Sequence, residues 1–306
     1  MPICTHVCIG NHMKTDKLNK LTAAAAEMSL ASARDSGELG FTARSFVLAT
    51  LRHSKPKEQE IERHNGDHTV TLMAKQKVGL PYGVIPRLIL CWLSTEVVKT
   101  KKREIVLGDS MSEFMRKLDM VPTGGRWGSI KRFKDQTEKL FRCNVEISRR
   151  TIHENDGLIQ DQDVGFRLSE SREFWWSFSP DQKELFDSTV TLSEPFYEEL
   201  AKNPLPIDLR ALKALRKSPM AIDIYCWLTM RLLSVRKPTL IPWKSLQQQF
   251  GAGYSLDSAG RRDFKVNFQK QLKKVLVVYP EAKVTVPDGK GGLLVKHSKP
   301  HVEMLK

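Results

Sequence analysis

Between positions 124 and 141 the chain reads GGRWGSIKRFKDQTEKLF. At about 100° per residue, this spacing puts Trp127, Ile130, Phe133, Thr137, Leu140 and Phe141 on one face of a helix. Gly128, Lys131, Arg132, Asp135, Lys139 and Arg142 fall on the other. The pattern predicts a helix that packs on its apolar side and presents a row of cations. A second stretch, GRRDFKVNFQKQLKKVL from position 260, repeats the arrangement, with Phe264, Phe268, Leu272 and Val275 along one stripe and Arg262, Gln269, Lys270 and Lys273 turned elsewhere.

The two stretches are related by a constant offset of 135 positions, which carries Gly125 to Gly260, Arg126 to Arg261 and Phe133 to Phe268. Without a gap, the same offset carries Cys91-Trp92-Leu93 to Cys226-Trp227-Leu228, Val106 to Ile241 and Ser110 to Ser245. Self-similarity over such a length predicts two copies of one supersecondary unit. Each copy reads as a long apolar helix around Trp-Leu, a short strand, a short helix, a glycine-containing turn, the basic helix, and then strands. Short helix, turn and second helix make a helix-turn-helix, and strands after it make a wing. The expected fold is therefore α+β: tandem winged-helix domains with an N-terminal helical arm. Boundaries fall at 1–36 for the tail and arm, 37–182 for the first domain and 183–306 for the second.

Taken in order, TDKLNKLTAAAAEMSLASARDS (15–36) has high helix propensity and reads either as a helix lying on the first domain or as a pairing arm. Residues 41–51 are apolar enough to be buried, the polar run 53–68 breaks regular structure, and Thr69 to Met73 reads as a strand. Asp109-Ser110 with Glu113 marks a capping box. NVEIS, GFRL and EFWWSF are strand-like, as are VLVVYP, AKVTV and LLVKH near the end. Phe174, Trp175, Trp176 and Phe178 suit a buried sheet edge better than a base-stacking platform, because alternate strand residues must pack on something. VPTGG forms the first turn, while GAGYSLDSAG gives the second copy a longer, looser approach to its basic helix.

Composition narrows the function. The 306 residues suffice for two domains, and 49 Lys plus Arg against 35 Asp plus Glu give a net charge of +14, which favours a polyanionic partner. No apolar run approaches a spanning helix, and the opening residues lack a secretory pattern, so a cytoplasmic protein that does not use membrane is expected. Five scattered cysteines do not suit a disulfide framework, and Cys91 and Cys226 beside tryptophan read as core. Cys4, His6, Cys8 and His12 form the one metal-like cluster, but their spacing is not that of a zinc finger and Met13 is an alternative start. No metal or cofactor is expected.

Arginine and lysine donate to guanine edges and to phosphates, and a basic helix supplies several at once. The candidate DNA contacts are Arg126, Ser129, Lys131, Arg132, Asp135, Lys139 and Arg142 in the first copy, and Arg261, Arg262, Lys265, Gln269, Lys270 and Lys273 in the second. Lys290, in the Pro-Asp-Gly-Lys-Gly-Gly turn, would ride a wing tip. A nicking enzyme would need a His-apolar-His pair on a strand with a tyrosine nearby. The eight histidines offer no such pair, and no Walker-type phosphate loop exists.

The stretches VGLPYGVIPRLILCWLSTEVVKTKKREIVLGDSMSEFMRKL, GGRWGSIKRFKDQTEKLF and PFYEELAKNPLPIDLRALKALRKSPMAIDIYCWLTMRL closely resemble the plasmid-encoded replication initiators called RepA. The similarity spans about Gly40 to Phe268, leaving the first twelve residues outside it. It implies a plasmid protein, without catalysis, that binds repeated double-stranded sites at its origin and helps open the duplex. The partners it implies are origin DNA, the host replication initiator and helicase, and a second copy as a homodimer. A transcriptional repressor built on the same domains is the alternative, and only the resemblance separates the two.

Overall fold

The computed structural model describes residues 7–48, 50–65, 68–152, 159–174, 188–251, 253–287 and 291–303. Helix α1 (Val7–Leu30) leads into strand β1 (Leu39–Ala43), the short helix α2 (Arg44–Leu48), and the hairpin β2 (Glu60–Asn65) and β3 (His68–Met73). The first copy of the repeat follows as α3 (Val84–Thr100), β4 (Glu104–Gly108), α4 (Met111–Lys117), α5 (Ser129–Arg142), β5 (Asn144–Ile152) and β6 (Ile159–Arg167). After β7 (Ser169–Glu173), β8 (Ser188–Leu192), α6 (Glu194–Lys202), β9 (Pro204–Asp208) and α7 (Leu209–Leu215) comes the second copy. It comprises α8 (Pro219–Ser234), β10 (Thr239–Pro242), α9 (Trp243–Phe250), α10 (Ser258–Val278), β11 (Val284–Thr285) and β12 (Gly292–Val295).

The expected repeat is present element for element: shifting α3, β4, α4 and α5 by 135 positions lays them over α8, β10, α9 and α10. An aromatic ladder recurs inside each copy. Trp92, Phe114 and Phe133 stack edge to face at centroid distances of 5.1 and 5.2 Å, and Trp227, Phe250 and Phe268 contact one another at 5.6 and 5.5 Å. Edge-on contacts of this kind hold rings in register as well as burying area. The correspondence slips by one residue in the short helix, since the offset carries Phe114 to Gln249 and not to Phe250. Trp227 is buried, but Trp92 is only half-buried, because its outer edge lines an open groove against α7.

Local chemistry explains the helix boundaries. The Ser110 hydroxyl accepts from the Glu113 amide at 3.1 Å while the Glu113 carboxylate reaches back to the Asp109 amide at 2.9 Å, the expected capping box shifted by one donor. Asp208, Ser218 and Asp257 cap α7, α8 and α10 in the same way, each accepting from an amide of the first turn. Helix α3 stops at Lys101, which adopts φ 57° and donates its amide to Val97.

Several expectations change. The polar run before position 68 contains strand β2, because Ile61 and Arg63 turn inward while Glu62 and His64 face solvent, an alternation masked by the charges. Residues 275–278 (VLVV) complete α10, since Val275 and Val278 continue the buried stripe of Phe264, Phe268 and Leu272. The N-terminal helix ends at Leu30 and packs on α7 and on α10 of the second copy, where Arg210 of α7 donates to the Glu27 and Ala31 carbonyls. Strand β8, expected to open the second domain, pairs with β4 and β7 and so closes the first sheet. The hairpin β5–β6 continues β2–β3 into one four-stranded antiparallel sheet.

Two features join the copies. Strands β1 and β9 pair antiparallel from Leu39 opposite Asp208 to Ala43 opposite Pro204. Beside them, Arg87 of α3 forms a bidentate ion pair with Asp223 of α8, both contacts 2.7 Å, and donates further to the carbonyls of Leu51, Arg52 and Gly83. His53 adds a 2.7 Å contact to the same carboxylate.

Candidate nucleic-acid interface

Helix α5 buries Phe133, Thr137, Leu140 and Phe141 and leaves Lys131, Arg132 and Lys134 exposed. The helical spacing hides Lys134, because it falls between Phe141 and Trp127 on the face assigned to packing. The C-terminal half of the helix is different. Lys139 has a side chain only 13% exposed; it pairs with Asp135 at 2.7 Å and lies over the Tyr82 ring at 5.4 Å. Arg142 pairs with Glu138 at 2.9 Å. The cationic row therefore reduces to the N-terminal half, where neither Lys131, Arg132 nor Lys134 has an ion-pair partner among the described residues and no acidic side chain occupies the first turn.

The connection from α4 to α5 is stapled. The Ser129 hydroxyl donates to the Val121 carbonyl at 2.8 Å and accepts from the Thr123 amide at 2.9 Å, while the Thr123 hydroxyl accepts from the Ser129 amide at 2.9 Å. Ser129, expected as a DNA contact, spends its hydroxyl on the loop. Gly125 adopts φ 81°, and at Gly128 an added Cβ would lie 2.2 Å from the Thr123 carbonyl oxygen, so both positions require glycine. The staple holds Trp127 outward. Expected on the packing face, it lies before the first helical residue and is 84% exposed, with the Arg126 guanidinium 5.4 Å from its ring centroid.

The second copy differs at this turn. Helix α4 ends at Lys117 and α5 begins at Ser129, whereas α9 ends at Phe250 and α10 begins at Ser258, so the first approach is the longer one, contrary to the reading of the sequence. On α10, Arg261, Arg262, Lys270 and Lys273 are exposed, with Gln269 half-buried among them. Lys265 lies over the Trp243 ring at 5.4 Å. Val266, 61% exposed, stands among these cations. The N-terminus of α10 is already capped by a carboxylate, since Asp257 accepts from Gly260 at 2.7 Å, so it attracts anions less than that of α5.

At their turns the two copies still agree: the offset carries Val121 to Leu256, and both aliphatics are exposed, at 73% and 77%. Lys290, Trp175, Trp176 and Phe178 lie outside the described residues, as do the side chains of the Cys4, His6, Cys8 and His12 cluster. Phe174 packs on Phe141 at 5.9 Å with Arg172 above its ring. Among the described residues no group of His, Cys, Asp or Glu could hold a metal, and no helix is long and apolar enough to cross a membrane. Tyr225 is buried, its hydroxyl bonded to the Asp208 amide and to His301, and burial pushes its ionisation well above the ordinary value.

These features, paired helices with one buried and one cationic face, are found in a chain whose residues 80–243 match the family described as plasmid-encoded RepA protein. The match spans more than half of the sequence, and the chain belongs to that family. In fold it is similar to the crystal structure of domains 2 and 3 of RctB, a selenomethionine derivative, with a TM-score of 0.53 and 13% identity over 83% of this chain and 95% of that one. A further crystal structure of RctB domains 2–3 aligns at a TM-score of 0.49, with 10% identity over 82% of this chain and 94% of that one. Among curated proteins nothing matches the chain.

Proposed function

We propose that the protein is a cytoplasmic plasmid replication initiator that binds repeated double-stranded sites at its origin, strains the duplex toward opening and recruits the host initiator and helicase, without cutting a bond. The reading takes each copy of the repeat as a winged helix, with α5 and α10 as the helices laid into major grooves and the strands after them as wings. The first unit runs from β1 through α6 and the second from β9 onward, with α1 lying on the second. The observation that carries it is the repetition itself. Two helices related by one offset are each sealed on a phenylalanine face and studded with exposed cations on the other.

In this reading Arg126, Lys131, Arg132 and Lys134 approach base edges and phosphates from α5, and Arg261, Arg262, Lys270 and Lys273 do so from α10. The exposed apolar groups Trp127 and Val266 meet thymine methyls or base faces, which explains their standing among cations. Fluorescence titration of the full chain against a duplex carrying the plasmid's origin repeat, with a scrambled duplex of equal length beside it, tests the proposal. Tighter binding to the repeat at the same salt is expected; equal affinity for both removes sequence-specific initiation.

A further inference from the structure

A cavity of about 330 Å³ opens where the segment after α2 and the strand β2 meet the α9–α10 turn. Its ionisable lining consists of Arg52, His53 and Arg63, and among the described residues no carboxylate lines it. Arg63 is 5% exposed, and among the described residues its one hydrogen bond is from Nε to the Thr50 carbonyl at 3.2 Å, which leaves both terminal nitrogens of the guanidinium without an acceptor. Arg52 gives one nitrogen to Glu58 at 2.9 Å while its buried Nε has no partner. Buried donors are almost always satisfied, and the Arg52 Nε is one that is not; together with the Arg63 terminal nitrogens, which meet the open space of the cavity without a protein acceptor, it marks a place for an acceptor.

The neighbouring acids do not supply it. Asp223 is engaged by Arg87 and His53, and Glu58 by Arg52. Burial first, and then the charge of Arg52, push the Arg63 guanidinium down to about 10, so it still carries its charge at neutral pH, with no ion-pair partner among the described residues. Uncharged donors surround the space. The Tyr254 hydroxyl accepts from the Asn267 amide at 2.7 Å and keeps its own proton to give, and Ser54 stands beside Gly253.

We infer that this cavity is a binding site for a phosphate group, gripped by the Arg63 and Arg52 guanidinium forks with the Tyr254 hydroxyl as a further donor. Phosphate fits better than a single-atom anion because a guanidinium fork pairs two parallel N–H groups with two oxygens of one group. The volume exceeds what one phosphate fills, so the ligand has a body: either a free phosphorylated small molecule or the backbone of a nucleic acid strand. Since the site is made half by β2 and its preceding loop and half by the second copy, occupancy ties the two together.

The test is thermal unfolding of the full chain in inorganic phosphate against chloride at matched ionic strength, with Arg63→Met, Arg63→Lys and Arg52→Gln beside the wild type. A saturable rise in Tm for the wild type is expected. Arg63→Met should abolish the rise while leaving the phosphate-free protein as stable or more so, because an unpaired buried charge has been removed. Arg63→Lys keeps the charge, loses the fork and should weaken the response, as should Arg52→Gln. A second arm measures the salt dependence of DNA binding. If the group belongs to DNA, Tm ignores inorganic phosphate and Arg63→Met flattens the slope of log K against log salt by about one. The inference is overturned if both arms are silent, if the wild-type rise survives in Arg63→Met or is undiminished in Arg63→Lys, or if Arg63→Met is simply destabilised with no change in ligand response. Free-phosphate binding stands or falls independently of origin recognition.

Discussion

Arg87 on α3 and Asp223 on α8 hold each other through two 2.7 Å contacts at the seam between the copies, both side chains less than a tenth exposed. A buried pair of this kind is not evidence of net stabilisation, but breaking it strands a charge in the interior. Asp223→Ala leaves Arg87 unpaired and should cost about 3–5 kcal/mol, whereas Arg87→Met combined with Asp223→Leu should cost far less. Denaturant unfolding of both variants decides, and equal losses would mean that the contribution is packing alone.

The repeat makes a sharper demand on Phe133 and Phe268, both fully buried at the foot of their aromatic ladders. Each truncation to alanine removes a ring from a filled core and should cost about 3–5 kcal/mol. The two losses should be similar, and near-additive if the cores are independent. A tenfold disparity in folding equilibrium between them would show that the two cores are not equivalent.

Acid should loosen the seam. Burial holds His53 below its ordinary value of 6.5 despite the opposing hydrogen bond to Asp223, and burial does the same for His301. A folded-state value below the unfolded one means that the unfolded chain takes up protons first, so stability is lost as pH falls below about 6.5. Asp223 extends the loss to lower pH: burial alone would raise its carboxyl, but Arg87 holds it below the ordinary range of 3.8, and that contribution vanishes as the carboxyl is protonated. Tm should therefore fall between pH 7 and 5, and less steeply in His53→Gln. A flat profile over that interval contradicts the assignment.

The seam also marks where the sequence stops being legible. The repeat is visible because apolar spacing survives the offset, and helices, caps and the buried face of α5 follow from it. The Arg87–Asp223 pair is invisible for the opposite reason: the offset aligns Arg87 with Ile222 and Leu88 with Asp223, so each charge breaks the pattern where it matters. Periodicity places Trp127 with the core because nothing in its spacing reveals that the helix begins two residues later, after a loop closed by Thr123 and Ser129. Charged residues on its solvent side hide strand β2, and the Arg63 cavity is hidden because its walls come from segments far apart in the chain, Arg52 and Arg63 on one side and Tyr254 on the other.

No bond should be cut. Opening must then draw on binding energy, and unstacking costs a few kcal/mol per step, which an array of sites can supply. Supercoiled origin plasmid mixed with the protein and divalent metal should gain reactivity toward a single-strand probe yet remain supercoiled on a denaturing gel. A nicked circle carrying covalently attached protein would reveal a nucleophilic tyrosine.

The most direct test of the interface is a salt series of binding titrations to the origin repeat and to scrambled duplex, with four variants. Lys131→Ala with Arg132→Ala should narrow the gap between the two duplexes, because the stapled, carboxylate-free start of α5 presents these groups with Trp127 in a fixed geometry. Trp127→Ala should do the same at unchanged Tm. Lys270→Ala with Lys273→Ala should weaken binding to both duplexes and flatten the salt slope by about two. Lys139→Ala, already paired with Asp135, should leave DNA binding unchanged. If Lys139→Ala weakens binding as much as the α5 pair does, or if both helix pairs erode specificity equally, the assignment of the two helices is wrong.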